Sequence, residues 1–442
     1  MTVIRLKKAV LLMGDVLVLY FSLLLMLVLR YGKLDRDTTH DHLIPFSILF
    51  GVWILTLYVG GLYDFRHLRQ GNAFLNRASI IFGINGFVAV LFFYFLPSFA
   101  ITPRLNLFLF LAVAAIFGLI WRTLANMLLS NGLPTKKILL AGDGPIAEHL
   151  AHYLHENPQH GYRLAFWMKK GLRDHEFHHL YQIILAHKIS TIVMPAHLKK
   201  DVGATRLIYR NLVLGIEVMD LATLYERVFQ KVPLAELEEG WFLENIAKSH
   251  EFYETLKRPI EIVLSLALLI GLAPLFLILA LAVRLTSRGP AIFSQERIGQ
   301  GGRRIRVYKF RTMRIDAERD GPQWSKAHDP RNTPFGSFLR RTHLDEFPQL
   351  WNVLKGELSF IGPRPERPEF VALIEQSVPF YTLRHLVRPG VSGWAQVNYR
   401  YGASVTDAYE KLQYDIYYLK NRSVVLDTLI TLRTIRFFVS NL

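Results

Sequence analysis

Two neighbouring carboxylates, Asp345 and Glu346, are the residues whose types and spacing best suit chemistry in this sequence. An arginine pair stands just before them, and the segment "LSFIGPRPERPEF" follows, in which prolines stiffen a loop that presents Arg364 and Arg367. The planar guanidinium group forms paired hydrogen bonds with phosphate oxygens. A carboxylate can attack phosphorus to give an acyl phosphate. These residues therefore indicate a phosphate site with an acidic nucleophile.

Charge repulsion makes a cation necessary at such a site. A carboxylate and a phosphate oxygen ~4 Å apart repel each other by roughly 4 kcal/mol at an effective dielectric constant of 20. A magnesium ion (Mg2+) held by Glu346, with Asp345 beside it, would remove this repulsion. In the alternative interpretation, Asp345 only caps a helix and Glu346 is an ordinary first-turn acid.

The helix that carries the acids can be placed from its pattern. Apolar residues repeat at helical spacing from Phe347 to Leu354, and Gly356 is a typical C-terminal stop. Pro348 is tolerated only in a first turn, which predicts a helix start near Asp345. The acids would then lie at a helix N-terminus, where the dipole and the free N–H groups favour anions.

An apolar stretch within residues 257–286 has basic residues at both ends. Lys257 and Arg258 precede it and Arg284 follows it, and matched basic flanks favour the same leaflet. Pro274, near the middle, favours a break in the helix. The pattern predicts a re-entrant hairpin, and the alternative is one kinked span. The three basic residues would then lie at the level of the lipid head groups.

The N-terminal part has the composition of a membrane protein. The whole sequence is 51% hydrophobic with a formal charge of +16, and it has no cysteine, which excludes disulfides and thiolate nucleophiles. Four apolar stretches long enough to cross a bilayer occupy residues 9–29, 43–63, 80–96 and 105–121. The distribution of basic residues predicts that both ends of this block are cytoplasmic.

A small α/β domain follows the apolar block. Gly142, Gly144 and Ala147 have G-x-G-x-x-A spacing after an apolar run, and strand-like and helix-like segments then alternate. The pattern predicts a Rossmann-like domain with a parallel sheet. The acid expected after the second strand is missing, because Lys169 and Lys170 stand there. A bound dinucleotide, a sugar-nucleotide sensor and a structural spacer all stay open.

Several motifs together resemble a known family. They are "KFRTM" (309–313), "LDEFPQLWNVLKGELSFIGPRPE" (344–366), "RPGVSGWAQVN" (388–398) and "KLQYDIYYLKN" (411–421). Over residues 257–442 the chain resembles the bacterial sugar transferases, in particular the large monotopic polyprenyl-phosphate glycosyl-1-phosphate transferases. Within this family it is most similar to the exopolysaccharide subgroup found with exosortase-type systems.

The resemblance implies a two-step reaction. Asp345 would attack the β-phosphate of a UDP-sugar and release UMP, and undecaprenyl phosphate would then take the sugar phosphate. Glu346 would be the partner that holds Mg2+. The phosphate of the polyprenyl acceptor would dock near Lys257, Arg258 and Arg284. The residues expected to face the phosphates or the uridine are Lys309, Arg311, Arg341, Arg364 and Arg388.

The expected architecture has three parts. They are four transmembrane helices (1–130), the degenerate Rossmann-like α/β domain (131–240) and an α+β transferase domain with the re-entrant hairpin (241–442). The resemblance implies a multi-pass protein of the bacterial inner membrane with a cytoplasmic catalytic domain. It also implies a homodimer that contacts inner-membrane lipids and no nucleic acid, and a role in exopolysaccharide or O-antigen synthesis.

Two other functions compete with this interpretation. A membrane-anchored nucleotide-sugar dehydratase or epimerase could use the Tyr-x-x-x-Lys pattern of Tyr253 and Lys257, although this pair directly precedes the hairpin. A polysaccharide-assembly scaffold would carry an inactive site, against which the intact acid pair argues. Only the transferase predicts UMP release from a UDP-sugar.

Overall fold

The structure is a computed structural model. It describes residues 3–63, 71–95, 104–131, 135–157, 161–169, 180–246, 250–317, 319, 321, 323, 329–399, 402 and 404–441. The fold divides into two compact units, Met1–Leu221 and Ala222–Leu442.

The first unit begins with four long apolar helices. They are α1 (Val3–Tyr31), α2 (Arg36–Val59), α3 (Gly71–Phe95) and α4 (Arg104–Asn131). Each contains a segment long and apolar enough to cross a membrane, which confirms the four expected candidate spans. Aromatic side chains such as Phe46, Trp53 and Phe110 fill the space between the helices. The buried Asp15 of α1 forms an ion pair with Arg122 of α4.

The second part of this unit is the expected α/β fold with a parallel sheet. The strands are β1 (Lys136–Ala141), β2 (Tyr162–Met168), β3 (Thr191–Met194) and β4 (Glu217–Asp220), in the order β2-β1-β3-β4. The helices are α5 (Pro145–Glu156), α6 (Leu180–His187), α7 (Ala196–Lys200) and α8 (Val202–Asn211). Gly142 and Gly144 have positive φ angles in the turn before α5, a conformation that glycine adopts readily. Ligand binding at this turn stays a prediction.

The second unit opens with a connecting segment and a bent helix pair. Its helices are α9 (Leu221–Phe229), which straddles the unit boundary, α10 (Glu239–Asn245), α11 (Glu251–Gly271) and α12 (Ala273–Thr286). The last two meet at a bend of 62° next to Leu272. Pro274 lies in the first turn of α12, where its missing N–H does no harm. The predicted break is therefore present. A bent pair is either a broken span or a re-entrant hairpin, and the hairpin stays a prediction.

Two small sheets and six helices complete the part of this unit that the structure describes. Strands β5 (Ile292–Ile298) and β6 (Arg304–Phe310) are antiparallel, and β7 (Ser359–Ile361) and β8 (Gly390–Ser392) are parallel. The helices are α13 (Pro334–Thr342), α14 (Gln349–Lys355), α15 (Pro368–Glu375), α16 (Trp394–Asn398), α17 (Val405–Asn421) and α18 (Val424–Asn441). Single 3-10 turns occur at Leu212–Leu214, Leu234–Glu236, Gln300–Gly302, Leu344–Glu346 and Tyr381–Leu386.

The connecting segment belongs to the core of the second unit. Val232, Leu234 and Phe242 are buried together with Trp394 and Ile416. The boundary between the compact units therefore lies at Leu221, earlier than the residue 240 expected from the sequence.

Candidate active site

The two acids lie on a tight turn between α13 and α14. His343 ends α13 in the left-handed conformation (φ 55°, ψ 16°), and Leu344–Glu346 then forms one 3-10 turn. The helix α14 begins only at Gln349, so the predicted start near Asp345 is wrong. Pro348 has no N–H with which to continue an α-helical pattern, and the chain before it uses shorter i to i−3 hydrogen bonds. The predicted stop at Gly356 is confirmed.

Asp345 is a buried carboxylate with an unused oxygen. Its exposed fraction is 6%, and among the residues that the structure describes its Oδ1 atom has no hydrogen-bond partner. No described side-chain hydrogen bond caps the turn or α14, so the helix-cap interpretation of Asp345 has no support. Burial, followed by the charge of Glu346, raises the pKa of Asp345 to about 6, against the opposing charges of Lys309, Arg340 and Arg364.

Glu346, unlike Asp345, is hydrogen-bonded to two cationic side chains. Its Oε1 atom accepts a hydrogen bond of 2.7 Å from Lys309 Nζ and one of 2.6 Å from Arg364 Nη2. Burial alone would raise the pKa of Glu346, but the charges and hydrogen bonds of Arg364 and Lys309 hold it well below its usual range. Glu346 is therefore ionised at neutral pH.

Lys309 reaches the acids because Asn352 joins β6 to α14. The fully buried Asn352 side chain accepts a hydrogen bond from the Tyr308 backbone N–H (3.1 Å) and donates one to the Arg306 carbonyl (2.6 Å). It thereby satisfies two backbone groups at the edge of the strand. Asn352 was not predicted from the sequence, because the helical repeat of Phe347, Leu350, Trp351 and Leu354 places it on the opposite side of the helix.

Arg364 is presented by a loop whose backbone is held at every position from 363 to 366. In order, the carbonyls of Pro363, Arg364, Pro365 and Glu366 accept hydrogen bonds from Gly390 N (2.9 Å), Arg384 Nη2 (3.0 Å), Arg297 Nη1 (3.2 Å) and Ile298 N (2.9 Å). The prolines limit the loop's own conformations, and these bonds select one of them.

Arg384, which belongs to a buried ion pair, contacts this loop. Arg384 contacts Asp415 at 2.9 Å and donates a 2.7 Å hydrogen bond to the Tyr381 hydroxyl, and both charged side chains are at least nine-tenths buried. Removal of one member of such a pair leaves the other buried without compensation. Arg384 and Asp415 thus hold the backbone of the loop, and neither was predicted from the sequence, although Asp415 lies within the quoted "KLQYD" motif.

The structure brings only two of the five predicted phosphate-binding cations to the acids, Lys309 and Arg364. Arg311 is buried and donates to the Ser287 carbonyl and hydroxyl at 2.8 Å. Arg388 contacts Glu261 at 3.0 Å, and Arg341 is exposed on α13. Substrate contacts of these three residues stay predictions.

The basic residues expected at the lipid head groups differ in their surroundings. Arg284 is exposed, whereas Lys257 and Arg258 are hydrogen-bonded within the second unit. Lys257 Nζ contacts the hydroxyl of Tyr253 (2.9 Å), and this hydroxyl donates to Asp427 (2.7 Å). Tyr253, Lys257 and Asp427 thus form one polar network, and the Tyr-x-x-x-Lys interpretation stays an untested alternative.

The acid pair fits a magnesium ion that shares its ligands with a substrate. The described residues contain no group of three or more His, Cys, Asp or Glu side chains that could hold a metal alone. Mg2+ typically takes one or two carboxylates and completes its shell with water and substrate phosphates. The unused Oδ1 of Asp345, next to the ionised Glu346, meets that requirement.

Comparisons with known proteins show which family this chain resembles. Residues 252–441 match the family described as bacterial sugar transferase. A UDP-glucose:undecaprenyl-phosphate glucose-1-phosphate transferase of Xanthomonas campestris pv. campestris is 30% identical over 71% of this chain and 68% of that protein. The exopolysaccharide production protein PSS of Rhizobium leguminosarum bv. phaseoli is 42% identical over 41% of this chain and 93% of that protein.

A further relative carries a different sugar in its name. A UDP-N-acetylgalactosamine-undecaprenyl-phosphate N-acetylgalactosaminephosphotransferase of Aeromonas hydrophila is 38% identical over 54% of this chain. The match spans 60% of that protein's length. The relatives are thus named for both glucose and N-acetylgalactosamine.

Proposed function

Because the chain belongs to the bacterial sugar transferase family, we propose that it transfers a hexose 1-phosphate from a UDP-sugar to undecaprenyl phosphate and releases UMP. One observation carries the proposal: the buried Asp345 has an unused oxygen beside an ionised Glu346 that is held by two cations. This arrangement suits a carboxylate nucleophile that works on a diphosphate.

The reaction has two displacements at one phosphorus atom. A carboxylate oxygen of Asp345 attacks the β-phosphorus of the UDP-sugar, the bond from this phosphorus to the bridging oxygen breaks, and UMP leaves with that oxygen. A phosphate oxygen of undecaprenyl phosphate then attacks the same phosphorus, which restores the Asp345 carboxylate. The product is an undecaprenyl diphosphate sugar.

The surrounding residues make this attack possible. Asp345 must be ionised to attack, and its pKa of about 6 leaves it mostly ionised at neutral pH while it remains a good nucleophile. Lys309 and Arg364 provide positive charge next to the reacting phosphate. Mg2+ bound through Glu346 and Asp345 would supply further charge neutralisation of the diphosphate.

The proposed setting follows from the donor and the acceptor. UDP-sugars are water-soluble and cytoplasmic, and undecaprenyl phosphate is confined to the bilayer. We place the second unit on the cytoplasmic face of the inner membrane, with α11 and α12 as a re-entrant hairpin. We propose a role in exopolysaccharide or O-antigen type synthesis, and the name of one relative, an exopolysaccharide production protein, supports the first of these. The homodimer implied by the family resemblance stays a proposal, which light scattering of the detergent-solubilised protein would test.

UMP release tests the function. The full-length protein is mixed with Mg2+, undecaprenyl phosphate and each member of a panel of UDP-sugars, and Asp345→Asn is compared with the wild type. Glu375→Gln, which changes an exposed acid of the same unit, is the control. A second series omits the acceptor, where a covalent intermediate gives a single burst of about one UMP per site.

The outcomes separate the alternatives. Release by the wild type and Glu375→Gln, but not by Asp345→Asn, supports the transferase and identifies its sugar. Release by none of them would favour an inactive scaffold. Release by Asp345→Asn as well would exclude Asp345 as the nucleophile.

A further inference from the structure

Three charged residues of α11 point into the second unit, and we call Lys257, Arg258 and Glu261 the hairpin clamp. The side chains of Lys257 and Glu261, one helical turn apart, are only 10% and 4% exposed. Other positions of the same helix are apolar and open, as Phe252 (84% exposed) and Ile260 (52% exposed) illustrate. The first helix of the bent apolar pair, α11, is thus attached to the rest of the second unit through its polar face.

Two members of the clamp hold strand β7. Lys257 Nζ donates a 2.8 Å hydrogen bond to the Ile361 carbonyl. Glu261 accepts a hydrogen bond from the Phe360 N–H at 3.3 Å and pairs with Arg388 at 3.0 Å. The strand that leads into the Arg364 loop is therefore tied to α11.

Arg258 holds the end of the helix that follows the acids. Its Nη1 and Nη2 atoms donate to the carbonyls of Val353 (2.7 Å) and Leu354 (2.8 Å) in the last turn of α14. The Val353 carbonyl also accepts the Gly356 N–H at 3.0 Å, and a cation suits the negative end of the helix dipole. Gly356 lies directly against the guanidinium, because a Cβ atom there would be 3.0 Å from Nη2. The contact therefore leaves little room for a shift of α14.

The acid turn lies at the opposite end of α14. This helix has seven residues and is about 10 Å long. Asn352 fixes its middle to β6, so α14 behaves as a short rigid rod between α11 and the acid turn. We propose that Arg258 is a positioning residue that sets the height of Asp345 above the bilayer, where the phosphate of a membrane-bound acceptor must reach it. This inference rests on the proposed function.

Loss of the Arg258 contact should affect the reactions of the two substrates with Asp345 to different extents. A water-soluble UDP-sugar approaches Asp345 at any height. The phosphate of a long-chain polyprenyl phosphate is held at the head-group level by its buried tail. An error of about 1 Å in the position of a reacting group can slow a reaction by about a hundredfold. A shift in the position of Asp345 should therefore slow mainly the second reaction step, in which the polyprenyl phosphate attacks.

The test measures the two displacements separately in full-length protein in lipid nanodiscs. The first is the UMP burst with a UDP-sugar and no acceptor, and the second is the decay of the phosphosugar-enzyme after undecaprenyl phosphate is added. Arg258→Met removes both hydrogen bonds, and Arg258→Lys keeps the charge and one donor. Arg304→Gln, which changes an arginine that is 70% exposed, is the control.

We expect Arg258→Met to keep the burst rate within about twofold and to slow the decay by about tenfold, with Arg258→Lys in between and Arg304→Gln unchanged. Equal loss of both steps in both Arg258 variants would show a merely structural role and overturn the inference. Unchanged decay would also overturn it. Absence of a burst in the wild type would instead overturn the proposed covalent mechanism, and the inference with it.

Discussion

Asp345 and Glu346 are neighbours in the chain, yet their surroundings move their pKa values in opposite directions. Lys309 and Arg364 both contact Glu346, whereas Asp345 keeps a buried oxygen without a described partner. Burial and the charge of Glu346 raise the pKa of Asp345, and the two cations lower that of Glu346. Two acids with separated pKa values can take separate roles, one as nucleophile and one as a permanently charged metal ligand.

The raised pKa of Asp345 predicts a stability gain for Asp345→Asn. The folded protein holds the proton of Asp345 up to about pH 6, whereas the unfolded chain loses it near its ordinary value of 3.8. Stability is therefore lost as the pH rises through this window, by at most about 3 kcal/mol. The neutral asparagine avoids this loss, so thermal unfolding of the metal-free protein in detergent should show a higher Tm for the variant at neutral pH.

The same measurement at lower pH supplies the check. The gain should shrink steadily as the pH falls from about 6 towards about 4, where Asp345 is protonated in both states. Asp316→Asn, at an exposed aspartate of the same unit, should match the wild type throughout. A gain that is independent of pH would contradict the prediction.

At the scale of elements, α13 and its preceding residue fix where the acid turn begins. Thr333 caps the helix by accepting the Gly336 N–H at 2.9 Å, and its own N–H donates to the Thr312 carbonyl at 2.9 Å. Arg340 Nε donates to the Thr312 hydroxyl at 3.1 Å. The helix thus packs directly on the "KFRTM" backbone that carries Lys309, which brings both halves of the site together.

Gly336 makes this close packing possible, so Gly336→Ala should be strongly disruptive. A Cβ atom there would lie 2.0 Å from the Thr312 carbonyl oxygen, which is backbone and cannot rotate away. We expect a loss of about 3 kcal/mol in unfolding free energy and reduced UMP release. Gly240→Ala is the matched control, because Gly240 also lies in a helix and has no described atom within 4 Å of such a Cβ. It should be neutral or stabilising by up to about 1 kcal/mol. Equal unfolding midpoints for the two variants would disprove this account.

At the scale of the whole molecule, the second unit is larger than the matched family region. The family match begins at residue 252, whereas the compact unit begins at Ala222. Phe242 is 6% exposed in the core of the unit, and its ring centroid lies 4.4 Å from that of Phe380. Trp394 donates an indole hydrogen bond of 2.8 Å to the Gln230 carbonyl. The segment before residue 252 is thus part of the catalytic fold.

Phe242→Ala should therefore damage an enzyme whose chemistry lies elsewhere in the unit. Deletion of a buried phenyl ring is expected to cost about 3–5 kcal/mol, which a lower Tm and a lower yield of active protein would reveal. Leu243→Ala is the neighbouring control, because Leu243 is 74% exposed and its truncation should change stability by less than about 0.5 kcal/mol. If the two variants unfold at the same temperature, the segment is not part of the core.

The sequence predicted the elements well where one local pattern dominates. Four long apolar runs are the four apolar helices, and the alternation after Gly142 gives the parallel sheet. Pro274 marks the bend of α11 and α12. The start of α14 was wrong, because Pro348 together with the left-handed His343 favours a 3-10 turn over an α-helical first turn.

The site was predicted only in part. The acids, Lys309 and Arg364 were found because charged residues in stiff motifs stand out in a sequence. Arg384 and Asp415 lie 31 positions apart, and neither has a local pattern that reveals its partner. The head-group role of Lys257 and Arg258 stays a prediction, and their hydrogen bonds within the second unit could not be read from a basic flank in the sequence.

The sequence by itself determined the chemistry available to this protein: an adjacent acid pair, cations in proline-stiffened or strand segments, and apolar runs that need a bilayer. These depend on residue type and on spacing along the chain. Only the tertiary structure decided which cations reach Glu346, which oxygen of Asp345 stays unused, and that Arg258 joins α11 to α14. The physical reason is that charge pairing and burial depend on distances between residues far apart in the chain, which no local pattern specifies.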